Sequence, residues 1–184
     1  ELEARDVLEL VVQDVNDAPR LDSSRVYELV AIEEDVPLEA NAGTRIADLL
    51  GDGFLDPDAP DAVGGIFVTA LDDATGRWQA RHDGEADWRD IDLPGERALA
   101  AYLIGAEDFL RFVPEPDVNG ISTLVFGAWD ESEGSAGTWV ELTRRGGASA
   151  YSEALATARL TIAAVNDAPE NRVPADQAIS QGET

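Results

Sequence analysis

The sequence predicts an all-β sandwich with long loops, and three observations predict it. Short runs of strand character recur along the chain between Gly, Pro and Asp turn signals. No long amphipathic helix can be drawn between residues 20 and 169. A five-residue segment, Val15-Asn16-Asp17-Ala18-Pro19, returns as Val165-Asn166-Asp167-Ala168-Pro169, each time after an alternating run.

The first such run is Val7-Leu8-Glu9-Leu10-Val11-Val12-Gln13-Asp14, and the second is Ala158-Arg159-Leu160-Thr161-Ile162-Ala163-Ala164. Period-two alternation entering Asn-Asp-Ala-Pro reads as a last strand running into a stiff linker, because proline ends sheet pairing. Residues 1–19 are therefore expected to be the closing strand and linker of a preceding repeat. Residues 20–169 form one unit. Residues 170–184 open the next, since Ala178-Ile179-Ser180-Gln181-Gly182-Glu183 is similar to Ala31-Ile32-Glu33-Glu34-Asp35-Val36-Pro37-Leu38. The chain is expected to start within a longer protein whose export signal lies elsewhere.

Within the unit, strands are expected at 26–32, 45–50, 65–70, 77–80, 87–91, 109–113, 121–129, 138–143 and 155–164. A short helical turn at most is expected in 99–109. Residues 78–88 read as a hairpin around Asp83-Gly84, which supplies the positive φ of a tight turn. Trp78, Trp88 and Trp129 are expected to be core or sheet-face aromatics. Trp139, in a glycine-rich surround, is the one expected to be exposed. His82, the single histidine, is expected to be an exposed turn residue.

Charge narrows the function. The 184 residues hold 38 acidic and 13 basic side chains, a net charge of −25, and every basic residue is arginine. Such a balance argues against nucleic acid and anionic membrane surfaces as partners. No apolar run approaches the ~18 residues of a membrane span. There is no cysteine, so bound cations rather than disulfides are the expected loop staples. Acidity alone is consistent with a solvated surface; the positions of the acids favour metal ligation.

Those positions are the repeat junctions. Asp14, Asn16 and Asp17 occupy the first linker, and Glu33, Glu34 and Asp35 open the domain. Asp56, Asp58 and Asp61 share one dense loop, Asp130 and Glu131 follow Trp129, and Asn166 and Asp167 repeat the linker. Ca²⁺ takes six to eight oxygen ligands from such groups, and it relieves the repulsion between carboxylates held close. Asp72, Asp73, Asp108, Glu115 and Asp117 read instead as solvated or turn-capping acids. Neither an EF-hand loop nor a glycine-rich calcium β-roll repeat is present.

An ordered set of segments resembles the cadherin-like repeats of giant bacterial RTX adhesins. It comprises the two linker copies, Glu33-Glu34-Asp35-Val36-Pro37-Leu38, and Gly76-Arg77-Trp78-Gln79 followed by Asp83-Gly84 and Trp88. Leu110-Arg111-Phe112-Val113-Pro114, Asp117-Val118-Asn119-Gly120 and Phe126-Gly127-Ala128-Trp129-Asp130 complete it. The resemblance implies a Ca²⁺-stabilised Ig/cadherin-like sandwich, secreted to the bacterial cell surface and monomeric, with adjacent repeats of the same chain as neighbours. In that family a linker acid, an opening glutamate and an Asp-x-Asp loop hold ions jointly.

The linker copies lie 150 positions apart, against about 100 residues for a simple sandwich repeat. The excess includes a late insertion, 134–152, whose Gly146-Gly147-Ala148-Ser149-Ala150-Tyr151-Ser152 resembles the peptide-binding domains of these adhesins. Such domains are implied to grip a target protein's C-terminus with Ca²⁺ in the site. The expected ligand contacts are Trp139, Gly146, Gly147, Ser149 and Tyr151, on loops that include 56–65 and 134–152. The expected function is Ca²⁺-dependent binding of a peptide or protein on a host or neighbouring cell, for attachment or biofilm formation. Alternatives are a Ca²⁺-rigidified extender and a Ca²⁺-dependent glycan binder stacking sugar on Trp139 or Tyr151. An enzyme is not expected: there is no cysteine nucleophile, nucleophile elbow, P-loop or zinc ligand set.

Overall fold

The computed structural model describes residues 15–92 and 99–168. The run 7–14, with Asp14, and the expected opening of the next repeat at 170–184 lie outside them. The described chain is all-β apart from one short helix and a 3-10 turn.

The strands are β1 (Arg20–Leu21), β2 (Tyr27–Glu28), β3 (Ile32–Glu33), β4 (Thr44–Arg45), β5 (Phe54–Leu55), β6 (Gly65–Leu71) and β7 (Gly76–Arg81). They continue as β8 (Arg89–Asp90), β9 (Ala100–Ile104), β10 (Phe109–Pro114), β11 (Gly120–Trp129), β12 (Trp139–Glu141) and β13 (Ala156–Ala163). A seven-stranded sheet runs β12-β9-β6-β11-β13-β2, with β3 also paired to β13. A four-stranded sheet runs β4-β10-β7-β8, and β1 pairs with β5.

One apolar core joins the two larger sheets. Trp78 and Phe112 of the smaller sheet share it with Val68, Phe126, Leu160 and Ile162 of the larger. Trp78 and Phe112 meet edge-on with centroids 5.1 Å apart, and so do Tyr27 and Phe126. The buried-exposed alternation along β13 follows from the strand period of two: Ala156, Ala158, Leu160 and Ile162 point inward.

Three expectations are corrected. The expected strand 45–50 is β4 followed by the helix α1 (Ile46–Leu50). Ile46, Leu49 and Leu50 fall at helical spacing and are buried, Asp48 is exposed, and Gly51 ends the turn with φ 51°. The expected helical turn in 99–109 contains β9. Its apolar run hides the alternation because both faces are covered: Tyr102 and Ile104 enter the main core, Ala101 and Leu103 a second one. His82 is not an exposed turn residue; its side chain is 22% exposed and its Nδ1 lies 2.9 Å from Asp108 Oδ2.

Other elements shift less. The expected strand 26–32 divides into β2 and β3, both parallel to β13. The Asp83-Gly84 turn forms, with Gly84 at φ 77°, but pairing resumes only at Ala80–Arg89, so the loop is wider than a tight hairpin.

The second core comprises Phe67, Ala101, Leu103, Trp129, Leu142, Ala150 and Tyr151. It sits on the outer face of the large sheet, roofed by the 134–152 insertion. Phe67 crosses Gly127 so closely that a Cβ there would collide with its ring, and Tyr151 meets Phe67 edge-on at 5.6 Å. No helix among the described residues is long and apolar enough to cross a membrane.

Candidate cation sites and ligand clefts

The two linker copies attach at opposite ends of β11. The first docks beside Trp129. Asn16 Nδ2 donates to Asp130 Oδ2 at 3.0 Å and to the Ser149 carbonyl at 3.2 Å. The Asp17 amide donates to Asp58 Oδ2 at 2.6 Å, and the Ala18 amide to the Gly147 carbonyl at 2.7 Å. Asp56 is buried and accepts the Asp58 amide at 2.9 Å. The linker, the Asp56–Asp58 loop, Asp130 and the late insertion thus meet at one end.

Two more acids were expected in that group. Glu131, with φ 65°, accepts the Ala106 amide at 2.8 Å and so ties its own turn to the loop after β9. Asp61 is exposed.

At the far end Glu34 is the organising residue. It is buried; its Oε1 accepts the Val165 amide at 2.8 Å and its Oε2 accepts Asn119 Nδ2 at 2.9 Å. Those hydrogen bonds, from Asn119 first and Val165 second, hold its carboxyl below the usual range despite opposing desolvation. Asp167 behaves oppositely. Partial desolvation raises its carboxyl although the residue is largely exposed, and the charges of Asp117, Asp35 and Glu34 push the same way. Glu33 and Asp35 are exposed, and Asn166 Nδ2 reaches only the Asp167 carbonyl, at 3.4 Å.

All these donors are oxygen-bearing, the chemistry a hard cation takes. Among the described residues, however, no three His, Cys, Asp or Glu side chains stand together as a ready-made metal site. Asn119 and Asp117, beside Glu34 and Asp167, were not expected there. Asp117 carries a positive φ of 59°, and the Asp-Val-Asn-Gly turn was the legible signal.

The expected ligand residues divide between two clefts. Ser149 and Tyr151 line one of about 300 Å³ with Glu133, Gly134, Glu141 and Arg144. Ser149 is buried, and its hydroxyl donates to the Gly146 carbonyl at 2.9 Å, which shapes the loop from within. Burial raises the Tyr151 hydroxyl above its ordinary value, with Glu133 and Asp130 adding to the effect. Gly146 and Gly147, at φ 70° and 60°, line a second cleft of about 300 Å³ with Asp17, Arg20, Pro57 and Glu153. Trp139 lines neither: it is 40% exposed, with its ring 4.9 Å from Tyr102.

Comparison with known proteins returns no match: no family model, curated protein or solved structure is significantly similar to the chain.

Proposed function

We propose that the chain is a Ca²⁺-dependent adhesion module of a secreted, repetitive bacterial surface protein, and that it captures a peptide or protein end through its late insertion. The observation that carries this reading is the docking of Asn16, Asp17 and Ala18 onto Asp130, Asp58 and Gly147. It couples the linker to the loops that bound both clefts. The type of sandwich, the cadherin-like relationship and the extracellular location belong to the same proposal.

The residues fit Ca²⁺ by donor chemistry. Asp17, Asp56, Asp58 and Asp130 would serve one end, and Glu34, Asp35, Asp117 and Asp167 the other. A bound divalent cation supplies positive charge that cross-links these oxygens and attracts a ligand carboxylate. The chain's own part is to orient the insertion: Ser149 fixes its turn, and Tyr151 and Phe67 anchor it on the sheet.

The test is binding of a peptide library with free C-termini, with calcium and then with chelator. Capture of carboxyl-terminal peptides that chelator abolishes supports the proposal. Equal retention of amidated and free-acid peptides overturns it. A purely structural extender is the second reading, favoured by attachment of the linkers at opposite ends of β11. It requires calcium-dependent stiffness with no peptide capture.

A further inference from the structure

We infer that the face of the four-stranded sheet carries a second, calcium-independent site, which binds a single carboxylate of a peptide through Arg81 and Arg111 beside Trp88. A groove of about 550 Å³ opens between the 38–42 loop and the 81–88 loop, and Leu38, Glu39, Asn41, Arg81, Trp88 and Arg111 line it. None of its lining residues belongs to a linker copy or to the late insertion, so it stands independently of the function proposed above.

Arg111 is the unusual group. It is only 8% exposed, yet it forms no ion pair among the described residues. Burial lowers its tendency to hold a proton, and the nearby charges of Arg77 and Arg81 act in the same direction, partly offset by Asp90. A buried cation beside two like charges is a costly arrangement unless an anion joins it. Arg81 is half-buried and likewise forms no ion pair among the described residues. Arg77 differs, since it reaches Asp90 at 3.5 Å. The other arginines without an ion pair among the described residues, such as Arg144 and Arg159, are exposed and solvated.

The site is built rather than incidental. The Arg111 guanidinium lies 4.0 Å from the Trp88 ring centroid, and that of Arg81 lies 5.1 Å from it and 4.5 Å from Phe109. Gly43, at φ 76°, admits Trp88: a Cβ there would stand 2.8 Å from the indole edge. Arg111 spends Nε on Gln79 at 2.8 Å and Nη1 on the Leu38 and Asn41 carbonyls at 3.0 and 3.2 Å. Arg81 spends Nη1 on the Glu85 carbonyl at 2.9 Å. Among the described residues this leaves Nη2 of Arg111 and the Nε–Nη2 edge of Arg81, a planar fork that matches a carboxylate.

The surroundings select the ligand. Guanidinium groups already occupy the Trp88 ring, which leaves little face for a sugar to stack on. Glu39 at the rim and a net charge of −25 disfavour a polyanion. Leu38, 50% exposed, offers an apolar contact beside the cations. The fitting ligand is therefore one Asp or Glu flanked by apolar residues in an otherwise uncharged peptide.

The test titrates the full chain, in chelator, with acetyl-Ala-Leu-Asp-Leu-Ala-amide and with its Asn twin, following the Trp88 indole N–H and the Arg81 Nε–H by NMR. Saturable shifts with the Asp peptide, at least tenfold weaker with the Asn twin, are expected. Arg81→Gln should weaken the Asp peptide at least tenfold, whereas Arg159→Gln, at an exposed arginine that lines neither cleft nor groove, should not. Equal affinity for the two peptides, which needs no variant to measure, overturns the inference. So does tighter binding of digalacturonate than of the peptide, or loss of binding in chelator.

Discussion

Glu34 joins three segments through one side chain: its own opening strand, the turn carrying Asn119, and the exit at Val165. Because those bonds depress its folded pKa, they contribute stability above its unfolded value, about 4.3. That contribution is lost as pH falls through the depressed folded value. Glu34→Gln should therefore lower the urea midpoint at pH 7 and flatten its decline between about pH 5 and 3, in the range around that unfolded value. Asp167 has the opposite sign: its raised pKa means that ionisation opposes folding as pH rises. Asp167→Asn should melt no lower than the wild type in chelator and gain less from calcium, measured by paired thermal scans. Glu34 was legible in the acidic opening motif. Its pairing with Asn119 was not, because a contact across 85 positions leaves no local pattern, although the turn that carries Asn119 does. His82 was misread for the same reason, since Asp108, which draws it inward, lies 26 positions away.

At the scale of the element, the late insertion turns a loop into a roof. It makes both faces of β6 and β9 interior, which explains why 100–104 shows no alternation and why its strand was missed. Where the outer face stays open, along β13, alternation survives and the sequence reading succeeded. The stretch 45–50 failed differently: its five helical residues are too few for periodicity to compete with an apolar run. Phe67, wholly buried under the roof, should cost about 3–5 kcal/mol when replaced by Ala. Gly127→Ala should cost about 1–3 kcal/mol, because the new methyl meets that ring. Urea unfolding of both variants checks these values. Asn16→Ala should release the linker without melting the sandwich. Exchange of the Ala18 amide should then rise several-fold while the β11 amides stay protected.

For the whole molecule, surplus negative charge gathers at both linker attachments, and the proposed calcium acts there. Ions that bind only the folded chain stabilise it by mass action, about 2.7 kcal/mol at a hundredfold excess over Kd. Calcium should raise the melting temperature by several degrees and chelator should reverse it; identical melting curves would remove the cation from the proposal. The sequence carried the strand-rich class, which depends on local alternation and turn chemistry. It did not carry the division of the expected ligand residues between two clefts, which depends on how the insertion folds back over Phe67.

The parallel pairing of β2 and β3 with β13 has a mechanical side. A chain pulled from its two linkers would load the Leu29–Arg159 and Glu34–Ala163 hydrogen bonds together, sliding one strand along the other instead of peeling bonds singly. Glu34, gripping Val165 just past that seam, acts as the latch at its end. Under such a pull the chain would part there only when several bonds yield at once.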